Sequence, residues 1–86
     1  MASRRRSRLE VVADILTETL NGACKTRVMY RANLNFLRFH KYFSELLDKE
    51  LIAVENTSDG RVTYHATDKG KRLLKIISSA EEIISS

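Results

Sequence analysis

Between Leu51 and Ala66 the sequence changes period, and that change limits the folds open to an 86-residue chain. Upstream, apolar residues recur every three or four positions, the spacing of a buried helix face. From Leu51 onward they alternate. Ile52, Val54 and Asn56 interleave with Ala53 and Glu55, and then Val62, Tyr64 and Ala66 interleave with Arg61, Thr63 and His65. Thr57-Ser58-Asp59-Gly60 separates the two runs, and Asp-Gly between alternating stretches is a strong hairpin signal. Helical spacing returns after Thr67. The chain is long enough for one domain and no more. Its layout is therefore mainly helical, with one two-stranded hairpin near the C-terminal end.

Ser7-Arg8-Leu9-Glu10 fits a capping box, in which serine accepts an amide three residues on and glutamate reaches back. Leu9, Val12, Ile15, Leu16, Thr19 and Leu20 then recur at helical spacing, with Asp14 and Glu18 on the other side, until Asn21-Gly22 closes the helix. After the connector Ala23-Cys24-Lys25, Thr26 is expected to cap a short helix from Arg27 to Ala32, anchored by Val28 and Met29. Asn33 can adopt the left-handed conformation that closes a helix without glycine. Asn35 can cap the next one. The link is as short as a helix-turn-helix requires. The third helix runs from Phe36 to about Glu50. At about 100° per residue, Phe36, Phe39, Phe43, Leu46 and Leu47 form its core stripe. Its outer face carries Arg38, Lys41, Glu45 and Asp48, with Leu37 and Ser44 at one edge and Asn35 and Tyr42 at the other. A hairpin directly after a helix-turn-helix is a wing.

The charge distribution gives this scaffold a partner. No acidic residue lies between Glu18 and Glu45, while Lys25, Arg27, Arg31, Arg38 and Lys41 are all basic. The net charge of +4 equals the contribution of Arg4, Arg5, Arg6 and Arg8, which precede the first acid at Glu10. Basic N-terminal arms of this kind lie along phosphates or enter grooves. On the third helix the basic residues come first and the acids later, which suits a recognition helix that touches base edges through its N-terminal turns. The expected DNA-binding residues are Arg4, Arg5, Arg6 and Arg8 of the arm, Lys25 and Arg27, Asn35, Arg38 and Lys41, and Arg61 in the wing. The expected partner is double-stranded DNA. Single-stranded nucleic acid is less suited, because the aromatics of the third helix fall mostly on its core stripe and do not form stacking platforms.

Thr67 caps the last helix, which starts Asp68-Lys69-Gly70-Lys71. Leu73, Ile76, Ile77, Ala80, Ile83 and Ile84 recur at spacings of three and four, and Leu73, Ile77, Ala80 and Ile84 trace a coiled-coil-like seam. A chain of this size buries only about 60–65% of its unfolded surface. A second subunit on that seam would cover it, so a homodimer is expected. The competing reading is a protein-interaction module that assembles through this helix without touching DNA.

Other chemistries find little support. Cys24 is the one cysteine, so no intramolecular disulfide can form and a reducing, cytoplasmic setting is expected. No apolar run approaches the roughly 20 residues of a membrane span, and the basic N-terminus lacks the apolar segment of a secretory signal. Cys24, His40 and His65 are the only soft metal ligands and none is spaced as a pair. Gly22, Gly60 and Gly70 each sit at an element boundary, so there is no glycine-rich phosphate loop. No enzyme, cofactor or small-molecule substrate is indicated.

Particular residues carry a resemblance. Lys25-Thr26-Arg27-Val28-Met29-Tyr30, Ala32-Asn33-Leu34-Asn35, Tyr42-Phe43, Leu46-Leu47, Leu51-Ile52 and the close Thr67-Asp68-Lys69-Gly70 are similar to the archaeal ten-kilodalton winged-helix DNA-binding proteins. That family includes chromatin-associated members that dimerise through a C-terminal coiled coil. The similarity covers about residues 7–77. It implies a winged helix-turn-helix fold and a non-enzymatic, nucleoid-associated DNA-binding dimer. The implied contacts are Asn35, Arg38 and Lys41 on bases, Lys25 and Arg27 on flanking phosphates, and Arg61 in the wing. The expected organisation is a disordered basic arm over 1–6, a winged-helix domain over 7–67 and a dimerisation helix over 68–86.

Overall fold

The computed structural model describes residues 7–85, so Arg4, Arg5 and Arg6 lie outside the described residues. The chain forms α1 (Arg8–Glu18), α2 (Lys25–Ala32), α3 (Phe36–Asp48), β1 (Ile52–Asn56), β2 (Val62–Ala66) and α4 (Asp68–Ser85). This is the winged helix-turn-helix order expected from the sequence. The strands pair antiparallel from Ile52 opposite Ala66 to Asn56 opposite Val62. Ala23 adds a one-residue bridge to the hairpin. Its N–H donates to the Tyr64 carbonyl at 3.1 Å and its carbonyl accepts from Tyr64 at 2.8 Å.

That bridge alters the start of α2. The helix begins at Lys25 with Cys24 in the cap position and no side-chain cap, two residues earlier than the Thr26 cap predicts. Pairing of Ala23 with β2 fixes the chain direction there, and Val28 N–H already reaches the Cys24 carbonyl at 3.2 Å. The signals at Ser7, Asn33 and Asn35 are realised, whereas α1 ends at Glu18 with Thr19 as its C-cap, ahead of the expected Asn21-Gly22 stop. Ser7 and Glu10 form the reciprocal capping box at 3.1 and 2.7 Å. Asn33 closes α2 with φ 56° and ψ 48°. The Asn35 carboxamide oxygen accepts from Arg38 N–H at 2.9 Å.

Two long-range junctions set the helix positions. At the end of α1, the fully buried Thr19 donates its hydroxyl to the Ile15 and Leu16 carbonyls, at 3.0 and 3.1 Å. Its own carbonyl accepts from Gly22 and from Ala66 at the end of β2. At the end of α3, Glu50 N–H reaches the Leu47 carbonyl at 3.0 Å and Leu51 N–H the Leu46 carbonyl at 2.8 Å. This is a Schellman closure, and its left-handed position is held by Glu50 (φ 59°) where glycine is usual. The first turn of α4 then seats on it. Thr67 N–H donates to the Leu51 carbonyl at 3.0 Å, the Thr67 hydroxyl to the Glu50 carbonyl at 2.7 Å, and Lys69 Nζ to the Lys49 carbonyl at 2.9 Å. The Thr67 hydroxyl also caps Gly70 N–H at 3.0 Å. A Cβ on Gly70 would lie 2.1 Å from the Leu51 carbonyl oxygen, so only glycine permits this approach.

The core joins Val11, Val12, Ile15 and Leu16 of α1 to Val28 and Ala32 of α2, Phe39, Phe43 and Leu46 of α3, Leu51, Ile52, Ala66 and Ile77. Phe43 stacks on Phe39 at 4.8 Å and meets Tyr64 edge-on at 4.7 Å. Four positions depart from the predicted stripes. Phe36, assigned to the core, is 61% exposed and rests edge-on against His40 at 4.4 Å. It lies one turn before the part of α3 that the other elements cover. Leu9 and Leu20 are also exposed, while Val11 is buried. The packing of both α2 and α4 on α1 shifts the buried stripe toward Val11 and Ile15. On α4, Gly70 and Ile77 are buried, Leu73 is half-buried, and Ile76, Ala80, Ile83 and Ile84 are exposed. The first half of α4 thus belongs to the domain's own core, Ile77 included.

The wing turn is tied by side chains. Thr57 donates its hydroxyl to the Asp59 carboxylate, and Arg61 N–H lies 3.1 Å from the Thr57 hydroxyl and 3.3 Å from Asp59 Oδ1. The Thr57 bond first, and then the Arg61 amide, hold the Asp59 carboxyl below the ordinary aspartate value of 3.8. A carboxylate with a depressed folded pKa stabilises the turn above the unfolded value, and that contribution is lost as pH falls through the folded value. Carboxyl titration by NMR should therefore place Asp59 below 3.8, with the Thr57 and Arg61 amide shifts following it. A titration at the ordinary value would refute the bonded turn. Glu50→Gly should raise stability by about 0.5–1 kcal/mol, because glycine lacks the Cβ penalty of the left-handed region. Thermal unfolding should show a Tm higher by a few degrees. Gly70→Ala should lower it sharply.

Candidate nucleic-acid interface

The outward face of α3 is built from its N-cap upward. Asn35 commits its carboxamide oxygen to Arg38 N–H, leaving its NH2 group as the part free to meet a ligand. Arg38 and Lys41 are both exposed. They line an open hollow with Tyr42, Glu45 and Arg8, the first residue of α1. Arg8 donates to the Glu45 carboxylate, linking residues 37 apart in sequence. Of the charges around this hollow, one acid is thus already partnered, and three cations surround it. The charged lining of the hollow is thus net positive even though Glu45 belongs to the acidic half of the helix.

A second group of cations forms near the wing. Arg27 of α2 and Arg61, just past the turn, line a hollow with Gly22, Ala23, Cys24, Val62 and Thr63. Arg61 lies 3.6 Å from the Asp59 carboxylate, so part of its charge is offset locally. Lys25 is half-buried, with Nζ 5.8 Å from the Phe43 ring centroid, a cation–π distance. The expected site residues within the described chain therefore fall into two clusters: Arg8, Arg38 and Lys41 beside α3, and Arg27 with Arg61 beside the wing. Lys25 lies apart, over the aromatic core.

Two features of this surface escape the sequence reading. The Arg8–Glu45 pair has no local signature, since its partners sit on different helices. Phe36 is exposed although the sequence assigned it to the core, whereas Tyr30 and Leu37 are exposed where the sequence placed them, near the surface and at the edge of the outer face. For Leu37 the signal existed, since a helical projection puts it nearly opposite Phe39. For Phe36 it did not, because the projection places it at the edge of the core stripe. Among the described residues no group of three or more His, Cys, Asp or Glu side chains could hold a metal ion. Cys24 is an exposed free thiol. His40 packs against Phe36, and His65 Nε2 lies 2.7 Å from Glu55 in the wing. No helix of the described residues is long and apolar enough to cross a membrane.

Known proteins share this architecture. The chain matches the winged helix-turn-helix family model over residues 5–85. It is 34% identical over 85 residues to the uncharacterized protein MJ0290 of Methanocaldococcus jannaschii, covering 98% of this chain and 38% of that protein. It is 32% identical to the uncharacterized protein MJ0287 of the same organism, covering 95% of this chain and 80% of the relative. The chain thus spans well under half of one relative and most of the other. Among solved structures it resembles Sso10a-2, a DNA-binding protein from Sulfolobus solfataricus, with a TM-score of 0.76 and 31% identity over 93% of this chain and 83% of that one. The archaeal affinity suggested by the motifs between Lys25 and Gly70 is the one these similarities display. The chain belongs to the winged helix-turn-helix family.

Proposed function

We propose that this protein binds double-stranded DNA as a homodimer, with α3 in the major groove, as a transcriptional regulator or chromatin-type architectural protein of the nucleoid, without catalytic activity. The observation that carries the reading is the exposed Arg38–Lys41 pair on the N-terminal half of α3, beside an acid already held by Arg8. Likeness to a DNA-binding protein at 31% identity supports it. Arg27 and Arg61 are suited to phosphates flanking the groove, and the arginine-rich sequence Arg4-Arg5-Arg6 to phosphate contact. Such contacts release counterions, so log K should fall with log salt at a slope of about −0.9 per phosphate neutralised.

The dimer reading rests on the second half of α4. Ile83 is 75% and Ile84 82% exposed, and Ile76 and Ala80 are exposed beside them. Ala80 and Ile84 also border an open groove with Leu9 of α1 and its N-cap Ser7. An apolar stripe of this kind at the end of a helix calls for a partner surface. A second copy supplies one of matching chemistry. The same stripe favours the second reading, a module that assembles with another protein and leaves DNA to it.

Electrophoretic mobility shift at low salt separates the two. Retardation of duplex DNA at micromolar protein, weakening steeply with salt, is expected, and no shift under those conditions would support the module instead. An Arg38→Ala, Lys41→Ala double variant with an unchanged circular dichroism spectrum should lose at least about tenfold in affinity, the loss of a good base contact or of phosphate contacts. Undiminished binding would remove α3 as the reading element. In sedimentation, Ile83→Lys and Ile84→Lys should turn a dimer into folded monomers, whereas Ile77→Lys should unfold the domain because it buries a charge. A wild-type monomer at high concentration would overturn the dimer.

A further inference from the structure

The first turn of α3 carries a side chain that the charge argument does not use. Leu37 is 79% exposed, among the most exposed of the large apolar residues. With α3 starting at Phe36, Leu37 lies about 160° around the helix from the buried Phe39, on the outward face. Lys41 stands one turn above it and Arg38 beside it, and the neighbouring Phe36 is also exposed. Leu37 contributes nothing to the core and takes no part in capping, which Asn35 performs.

A single exposed leucine on a protein surface ordinarily needs no explanation. Here its surroundings restrict what can cover it. Any partner lying over Leu37 also lies over the two exposed cations Arg38 and Lys41 on the same face, which an apolar protein groove would have to strip of water at high cost. A polyanion with apolar spots on its floor fits both. The major groove of DNA is such a surface, and the C5-methyl of thymine is the apolar group it presents among the base-edge donors and acceptors. We propose that Leu37 contacts a thymine C5-methyl and gives the protein a preference for thymine at that position, distinguishing it from cytosine by burial of the methyl. This inference rests on α3 lying in the major groove. It assigns the apolar contact to Leu37 and leaves affinity to Arg38 and Lys41.

The test removes the methyl alone. One duplex is prepared with thymine and, at the same sequence, with uracil in every thymine position, and affinities are measured by fluorescence anisotropy at one salt concentration. Burial of one methyl corresponds to about a fourfold difference in affinity for each helix engaged. The wild-type protein should therefore bind the thymine duplex more tightly, by about fourfold if one helix engages a thymine and about sixteenfold if both do, and Leu37→Ala should bind both duplexes equally. Leu37 is exposed and alanine favours helices, so the variant keeps its fold, as circular dichroism will verify. Arg38→Ala should weaken binding to both duplexes and retain the thymine preference. Equal wild-type binding to the two duplexes, or a preference that survives Leu37→Ala, overturns the contact while leaving DNA binding itself intact. Absence of binding to either duplex overturns both the contact and the DNA-binding reading beneath it.

Discussion

The carbonyl of Leu51 organises this fold. It accepts the N–H of Thr67 and lies so close to Gly70 that no side chain fits there. Around it, the carbonyls left open at the end of α3 are taken up from outside the helix, Glu50 by the Thr67 hydroxyl and Lys49 by the Lys69 ammonium. A helix end leaves four carbonyls without internal partners. Here the Glu50 and Leu51 amides take the Leu47 and Leu46 carbonyls, and the Lys69 ammonium takes that of Lys49. The Thr67 contacts just beyond the helix end tie α4 to it and fix the angle between the two helices. The left-handed Glu50 is the conformational cost of the arrangement. The orientation of α3, and of every charged side chain on its outer face, follows from this contact.

Thr19 performs the matching service at the other end of the domain. Its buried hydroxyl returns to its own helix, and its carbonyl receives β2 and Gly22, so the end of α1 and the root of the wing are one hydrogen-bonded unit. The wing's cation, Arg61, and the α2 cation, Arg27, meet beside this unit because Ala23 pairs with β2 between them. The two basic clusters thus have different supports: one stands on α3 and its junction with α4, the other on the strand bridge.

Much of this was legible because the signals are local. The capping box at Ser7–Glu10, the left-handed Asn33, the Asn35 cap, the Asp59-Gly60 turn and the Thr67 cap each join residues within four positions, and residue type alone announces them. Illegible features join distant residues or depend on what a third element covers. The Ala23 bridge needs Tyr64. The Arg8–Glu45 pair spans two helices. The exposure of Phe36 and the burial of Val11 depend on where neighbouring helices lie. Glu50 hides a helix end because the expected glycine is absent. For the site, the sequence supplied the outward residues of α3 and the basic clusters' members, while their grouping beside Glu45 and beside Ala23 required the fold. On α4 the periodicity marked an apolar seam, and packing divided it, claiming Ile77 for the core and leaving Ile83 and Ile84 exposed.

That division has a mechanical meaning. α4 is a single 18-residue helix whose first turn is clamped to the end of α3 and whose last turns carry the exposed isoleucines. In the proposed dimer, the distance and angle between the two copies of α3 would be transmitted along this one rod, with no flexible linker in the path. Successive major grooves on one side of a duplex are about 34 Å apart. A residue inserted in the middle of α4 would turn the isoleucines by roughly 100° around the helix axis, changing which groove spacing the pair could span while leaving each reading head untouched. Site spacing would then be a property of helix phase, separable from base preference and open to tuning by length alone.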